Sequence, residues 1–418
     1  MVGLFQRYRR QIRRFRNNKR LEKEALYYKQ RFNERRLQVP TENKLRKKYA
    51  DLFPGIARRE KGELSILAIY HHYNWENEAL LPSLKKFGRV IHYDWFSEFN
   101  QQDEKTWHKK NKRRMNTDLI RKVQTWIQQE NIDVIFTYFS GETVYPETIK
   151  TIASMGVPII NLALNDKESF VGKIRNGQAM GARDICRFYH FCWTSTQDAL
   201  VKYVVEGALP IYLPEGGNPE IHKPYFVDQD IDVSFVGQCY GNRPMIIDKL
   251  CEKGIPVKAY GYNWPQGPLS TEEMVKMYSR SKINLGFGGV AGLNETFCLK
   301  GRDFEIPMSG GFYLTEHNEE LERCFLPGKE IVTYHNFDDL VEKINFYLGN
   351  EDEREKIRQK GYDAAVRQHT WESRFEQIFS ILGVLVKPVT CGKKHKPIDH
   401  QPEGSYDLFA KNRYRKKD

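Results

Sequence analysis

From residue 63 onward the chain alternates short apolar runs with helical stretches, and no other feature narrows its fold so far. Ser65-Ile66-Leu67-Ala68-Ile69-Tyr70 is a continuous apolar run, the kind a strand needs when both of its faces are covered. It empties into His71-His72-Tyr73-Asn74-Trp75-Glu76, and a helix then carries Leu80, Leu81, Leu84 and Phe87 and stops at Gly88. Further strands are expected at 90–93, 132–136, 158–164, 190–194 and 211–213, with helices at 117–130, 146–155 and up to Val205. Residues 97–116 are polar and basic and read as a loop. Such alternation implies an α/β protein with parallel, doubly wound sheets. Ligands of such sheets gather beyond the carboxyl ends of the strands. The loops at 71–76, 140–142 and 165–170 therefore share one rim.

Pro214-Glu215-Gly216-Gly217-Asn218-Pro219 is turn-forming and Pro224 follows, which puts a domain junction between about 214 and 230. A second alternating set starts at 232–237, where Gly237, Gly241 and Asn242 lead to Arg243 at a helix start. Backbone N–H groups bared there can hold a phosphate, although the glycine spacing does not match the dinucleotide fingerprint. The strand 257–260 runs into Gly261-Tyr262-Asn263-Trp264. Trp264 either stacks on a nucleobase or packs at the strand end. A strand at 283–287 and helices at 352–366 and 369–382 complete the set. The expected divisions are an arm over 1–60, Rossmann-like domains over 61–220 and 221–385, and a tail over 386–418.

The segment Lys300-Gly-Arg-Asp-Phe-Glu-Ile-Pro-Met-Ser-Gly-Gly-Phe-Tyr-Leu-Thr-Glu316 reads as a short helix running into a strand, with Ser309-Gly310-Gly311 at the turn. Arg302 and Glu305 are three apart, so a cation and a carboxylate share one helix face. A nucleotide diphosphate needs that pair, a positive group for phosphate and a carboxylate for the ribose hydroxyls. The plain alternative is a solvated salt bridge on a helix surface.

Charge is unevenly placed in this 418-residue chain of net charge +12. Residues 1–60 hold 19 Lys/Arg against 6 Asp/Glu, and residues 381–418 hold 9 against 4, which leaves −6 for 61–380. A nucleic-acid-binding domain carries its positive footprint on the folded surface, so an acidic body argues against specific nucleic-acid binding. Residues 1–38 read as a basic helix with Leu4, Phe5, Tyr8, Ile12 and Phe15 roughly on one face. Two readings stay open for it: an interfacial helix on anionic lipid, or a solvated, coiled-coil-like arm. The seven cysteines show no paired spacing, which fits reduced thiols. Cys391 and His395 lack a second pair to complete a metal site. No apolar stretch is long enough to span a bilayer, and arginines from Arg7 onward interrupt any signal-peptide core. The expected location is cytoplasmic, with the arm able to reach the inner face of the plasma membrane.

The 300–316 segment resembles the C-terminal motif of the CgeB-like (spore maturation protein) glycosyltransferases. The resemblance runs on through Asn318 to Tyr334 and His369-Thr370-Trp371, and back over much of 195–300. It implies the GT-B fold, two Rossmann-like domains facing a cleft, with the last helix returning to the first domain. It also implies metal-independent transfer from a nucleotide-diphosphate sugar to an acceptor glycan, protein or lipid. Carried over residue by residue, Lys300, Arg302 and then Arg243 would meet the phosphates, and Gly237, Trp264 and Gly310 complete the donor side. Glu305 falls on the second, ribose-binding glutamate of a Glu-x7-Glu motif. The first position is Phe297, and Glu295 is out of register, so the sugar-binding glutamate and a retaining mechanism do not carry over. Inverting transfer needs a general base, and Asp166 and His72 stand on the expected acceptor-side rim. His369 reads as structural.

Three rivals stand beside this reading: a GT-B-like spore-coat component without catalysis, a nucleic-acid binder, and a sugar-phosphate epimerase of similar architecture. Phe297 supports the first of them, and the Lys300, Arg302 and Glu305 set opposes it.

Overall fold

The computed structural model describes residues 2–289 and 297–386. Its first sheet has six parallel strands in the order β2-β1-β3-β4-β7-β8. These are β1 Leu64–Ile69, β2 Gly88–Tyr93, β3 Val134–Thr137, β4 Ile159–Ala163, β7 Phe191–Thr194 and β8 Pro210–Tyr212. A small antiparallel hairpin, β5 Ile174–Arg175 and β6 Gln178–Ala179, lies between β4 and β7 in sequence. The second sheet, also parallel, has the order β10-β9-β11-β12-β13. It is built from β9 Ile231–Val236, β10 Val257–Tyr260, β11 Ser281–Gly286, β12 Tyr313–Glu316 and β13 Val332–Tyr334. Both sheets belong to one compact unit.

The apolar run of β1 is covered on both faces. Leu67 and Ile69 join one core, while Leu64, Ile66 and Ala68 join the other, as the two-residue period of a strand requires. The second of these cores is sealed by the last helix, Trp371–Leu382, through Trp371, Phe375, Ile378 and Phe379. Its Thr370 cap accepts from Ser373 N at 3.0 Å. The crossing is pinned where the two domains meet: Gly217 N donates to His369 O (2.8 Å) and Trp371 N to Gly217 O (3.0 Å). Arg374, buried, donates to Pro214 O (3.2 Å). His369 sits against Cys324 O at 2.7 Å and Arg374 Nη2 at 3.0 Å, at a structural joint.

Only residues 98–103 of the expected 97–116 loop are irregular. A helical turn at Glu104–Thr106 passes through a π-turn at Trp107–Asn111 into the helix Lys112–Glu130. Trp107 and Met115 are fully buried, and the Trp107 indole donates to Glu142 O at 3.0 Å. Lys112 is buried as well, its Nζ 4.4 Å from the Tyr145 ring centroid and bonded to Gly141 O. Polar composition hid the apolar positions 107 and 115, which continue the helical spacing of 119 and 123.

Nor is the arm uniformly free. Helix Val2–Glu34 lays its second half on the first domain, with Tyr28 buried in a core and bonded to Glu206 at 2.7 Å. Glu24 pairs with Lys202 at 2.7 Å, and helix Glu42–Leu52 buries Leu45 and Tyr49. Ile12 and Phe15 are exposed; the side chains of Leu4, Phe5 and Tyr8 lie outside the described residues, as do Glu295, Cys391, His395 and the tail from residue 387. Among the described residues no helix is long and apolar enough to cross a membrane.

Candidate functional site

Helix Arg302–Met308 begins just beyond the loop that follows β11. Asp303 fixes its start, accepting from Lys300 N at 2.7 Å with one oxygen and from the Tyr313 hydroxyl with the other. Phe304, Ile306 and Met308 are buried in a core of the second domain. Arg302 lies over the Phe235 ring, its Cζ 5.3 Å from the centroid. Gly237, at the end of β9, makes room for it, since a Cβ there would stand 2.5 Å from Arg302 Nη2. Arg302 Nε and Nη1 are buried with no hydrogen-bond partner among the described residues. Buried donors without acceptors are costly, and an anion held at this point satisfies them.

Two carboxyl groups converge beside this cation. Glu305 Oε1 and Glu215 Oε2 lie 2.8 and 3.5 Å from where a Cβ on Gly301 would be. Glu305 also stands 3.8 Å from His222 Nε2. Burial pushes Glu305 up to about 7, against the pull of Arg302 and with help from Asp303 and Glu78. Glu215 is pushed up to about 8, first by burial and then by the charge of Glu305. Burial draws His222 down to about 4. No ion pair joins Arg302 to Glu305 among the described residues, so a solvated helix salt bridge is not what this pair forms.

The raised carboxyls link stability to pH. Unfolded, both ionise near 4.5, so near neutrality the folded chain holds protons that the unfolded chain has already released. Their stabilisation is complete below about pH 4.5 and is lost as pH rises through about 7 and 8. Above about pH 6.5 His222 is neutral in both states. Between about pH 6.5 and 9, denaturant titrations should therefore show Glu215→Gln gaining stability relative to the wild type as pH rises. A difference that does not change with pH contradicts the raised Glu215.

Lys300 Nζ contacts Cys298 Sγ. Arg243 is buried at the start of helix Arg243–Glu252 and ties two strand ends together. Its Nη1 donates to Gln238 O (2.9 Å), its Nη2 to Tyr240 Oη (3.2 Å) and to Phe287 O (3.5 Å). Burial, and then the charge of Arg302, draws it down to about 10. Trp264 uses its indole N–H on Gly237 O (2.8 Å) and packs edge-on to Phe235, so its polar edge is taken up at the strand end.

Three sequence-derived assignments change. Gly310 follows the far end of the Arg302–Met308 helix, at φ +68, where its O accepts from Arg358 at 2.9 Å. It terminates the helix and does not stand with Arg302. Asp166 is buried and turned inward, accepting from Thr194 (2.7 Å) and Tyr203 (2.8 Å); burial, only partly offset by these bonds, pushes its carboxyl up. His72 Nδ1 accepts from Asn77 N at 3.3 Å, which places the imidazole proton on Nε2. That tautomer has no free basic nitrogen.

Sequence reasoning missed Glu215 and His222, because the turn-forming stretch around them was read only as a junction. A carboxylate set among Pro and Gly at the carboxyl end of β8 was the available signal. It also passed over His71, whose Nδ1 lies 2.9 Å from each Asp94 oxygen. Across the same seam Asn218 Nδ2 donates to Glu78 O (3.1 Å), and Lys167 of the first domain pairs with Glu320 of the second (3.2 Å).

The architecture is that of the GT-B glycosyltransferases. The chain is similar in fold to a sucrose-phosphate synthase from Thermosynechococcus elongatus, at 10% identity over 77% of this chain and 99% of that one, with a TM-score of 0.53. It is likewise similar to a glycosyltransferase from Rickettsia africae ESF-5, at 10% identity over 77% and 98% of the two chains, TM-score 0.52. Residues 243–380 match the family described as "Glycosyl transferase-like". No curated protein matches the sequence. The matched residues hold Arg243, Lys300, Arg302 and Glu305, so the second domain is glycosyltransferase-like.

Proposed function

We propose that the protein is a CgeB-like glycosyltransferase that moves a sugar from a nucleotide-diphosphate donor to a glycan, protein or lipid acceptor. The observation that carries this reading is the buried Arg302 side chain, with two N–H atoms unpartnered among the described residues and Glu305 on the same helix. Arg302 and Lys300 meet the diphosphate, and charge-assisted contacts to it strengthen as the leaving group gains charge. Glu305, with Glu215 beside it, offers acceptors for the ribose hydroxyls. In this reading no metal is obligatory, because side-chain cations neutralise the leaving group. Calorimetric titration with UDP, GDP, CDP and dTDP tests it. One nucleotide should bind, and Glu305→Ala should weaken that binding. The rival reading of a component without catalysis, which Phe297 favours, expects none of the four to bind.

The protein acts, in this reading, on the cytoplasmic side, with the free end of the arm on anionic lipid. Exposed Ile12 and Phe15 beside Arg16 and Lys19 support that end as the contact. Deleting all of 1–60 would strip Tyr28 and Tyr49 from the cores, so the informative comparison is with a chain lacking residues 1–19. The full chain should co-sediment with phosphatidylserine vesicles and the shortened one should not. Equal sedimentation sinks the membrane contact.

A further inference from the structure

Two adjacent histidines leave β1, and the fold gives them opposite tautomers. His72 Nδ1 accepts a backbone N–H, from Asn77 at 3.3 Å. His71 Nδ1 is hydrogen-bonded to a carboxylate, 2.9 Å from both Asp94 oxygens, so it carries the proton and leaves the Nε2 lone pair as the basic site, whereas the carboxylate beside His72 Nδ1, Glu76 Oε2, stands off at 3.5 Å. The ring is fixed on three sides. It stacks on Phe96 at 4.0 Å and 9°, meets Tyr73 edge-on at 4.5 Å, and is tethered by Asp94. Asp94 is itself held, accepting from His72 N (3.3 Å) and Phe96 N (3.0 Å). The pair stands at the carboxyl ends of β1 and its edge neighbour β2, the end of a parallel sheet where ligands gather. His71 and Asp94 side chains are 17% and 28% exposed, so solvent reaches a pair that packing has immobilised.

The geometry points to His71 as the general base that deprotonates the acceptor hydroxyl, with Asp94 as its positioning residue, and hence to inversion at the anomeric carbon. This rests on the sugar-transfer reading above. The acceptor O–H proton passes to His71 Nε2 as the acceptor oxygen bonds to C1 of the sugar. The bond from C1 to the diphosphate oxygen breaks, its electron pair stays on that oxygen, and Arg302 and Lys300 receive the charge. Phe297, standing where a retaining relative would hold a sugar-side glutamate, agrees with a reaction run from the acceptor side. Of the titratable groups nearby, Asp94 bonds the ring and Tyr73 packs edge-on to it, while Glu76 and Glu142 act on Tyr73.

The test uses the full-length chain with α-linked UDP-, GDP-, CDP- and dTDP-glucose, water serving as acceptor, and reads the first-formed glucose anomer by NMR. The wild type should release the β-anomer. His71→Gln should slow release by about 100-fold or more while binding the nucleotide as tightly as the wild type. Asp94→Asn should lower kcat while leaving nucleotide affinity and KM unchanged, because the ring loses the partner that holds its Nδ1 proton; a merely structural Asp94 would leave kcat in place. First release of the α-anomer, a near-wild-type rate in His71→Gln, or nucleotide binding with no turnover of any of the four donors each overturns the assignment. If no nucleotide binds the wild type, the sugar-transfer reading itself fails, and this inference with it.

Discussion

Arg302→Ala should weaken nucleotide-diphosphate binding by about 100-fold, since hydrogen bonds to charged groups contribute about 1.5–3 kcal/mol each and two N–H atoms await an acceptor. Calorimetry on the nucleotide that binds the wild type checks this. The same substitution should leave the free protein as stable as before, or stabilise it. Arg302 is a buried cation over Phe235 with Nε and Nη1 unpartnered among the described residues, and removing unsatisfied buried donors relieves a desolvation cost that offsets the lost attraction to Asp303. Lost affinity with undiminished stability marks a ligand site. If stability falls and affinity holds, Arg302 is a packing element and the donor site lies elsewhere.

Trp371→Ala should destabilise the protein by about 3–5 kcal/mol, the usual range for truncating a fully buried large aromatic. Trp371 is 1% exposed, stacks on Trp75 at 5.2 Å and 17°, and packs against Trp193 at 5.6 Å. It also begins the helix that seals one core of the first domain, directly after the Gly217 and His369 backbone bonds. Denaturant unfolding measures the loss. Phe15→Ala, on an exposed helix face, serves as the control and should stay within about 0.5 kcal/mol.

The two substitutions differ in how far the sequence foretold them. The His369-Thr370-Trp371 element was legible as the start of a closing helix, and Arg302 with Glu305 was legible as a pair on one helix face, because both follow from local spacing. What Arg302 faces was not legible. Its burial depends on Gly237 and Phe235, far away in the chain, and the company of Glu305 depends on Glu215 and His222 from the junction. Asp166 shows the same limit in reverse. Its place after β4 was read correctly, yet Thr194 and Tyr203 turn its carboxylate into the protein. A rim position fixes where a residue begins, and long-range hydrogen bonds decide which way it points.

Residues 97–116 mark the limit of composition as a guide, since Lys and Arg there cover a face whose other side buries Trp107 and Met115. The sequence alone determined the alternation of strands and helices and the parallel sheets, for these rest on period and turn chemistry within short windows. The tertiary structure decided which of two neighbouring histidines keeps a basic nitrogen, which carboxyls are driven up in pKa, and which half of the arm belongs to the body. Each of those outcomes is set by burial and by partners tens to hundreds of residues away, and such contacts exist only once the chain is folded.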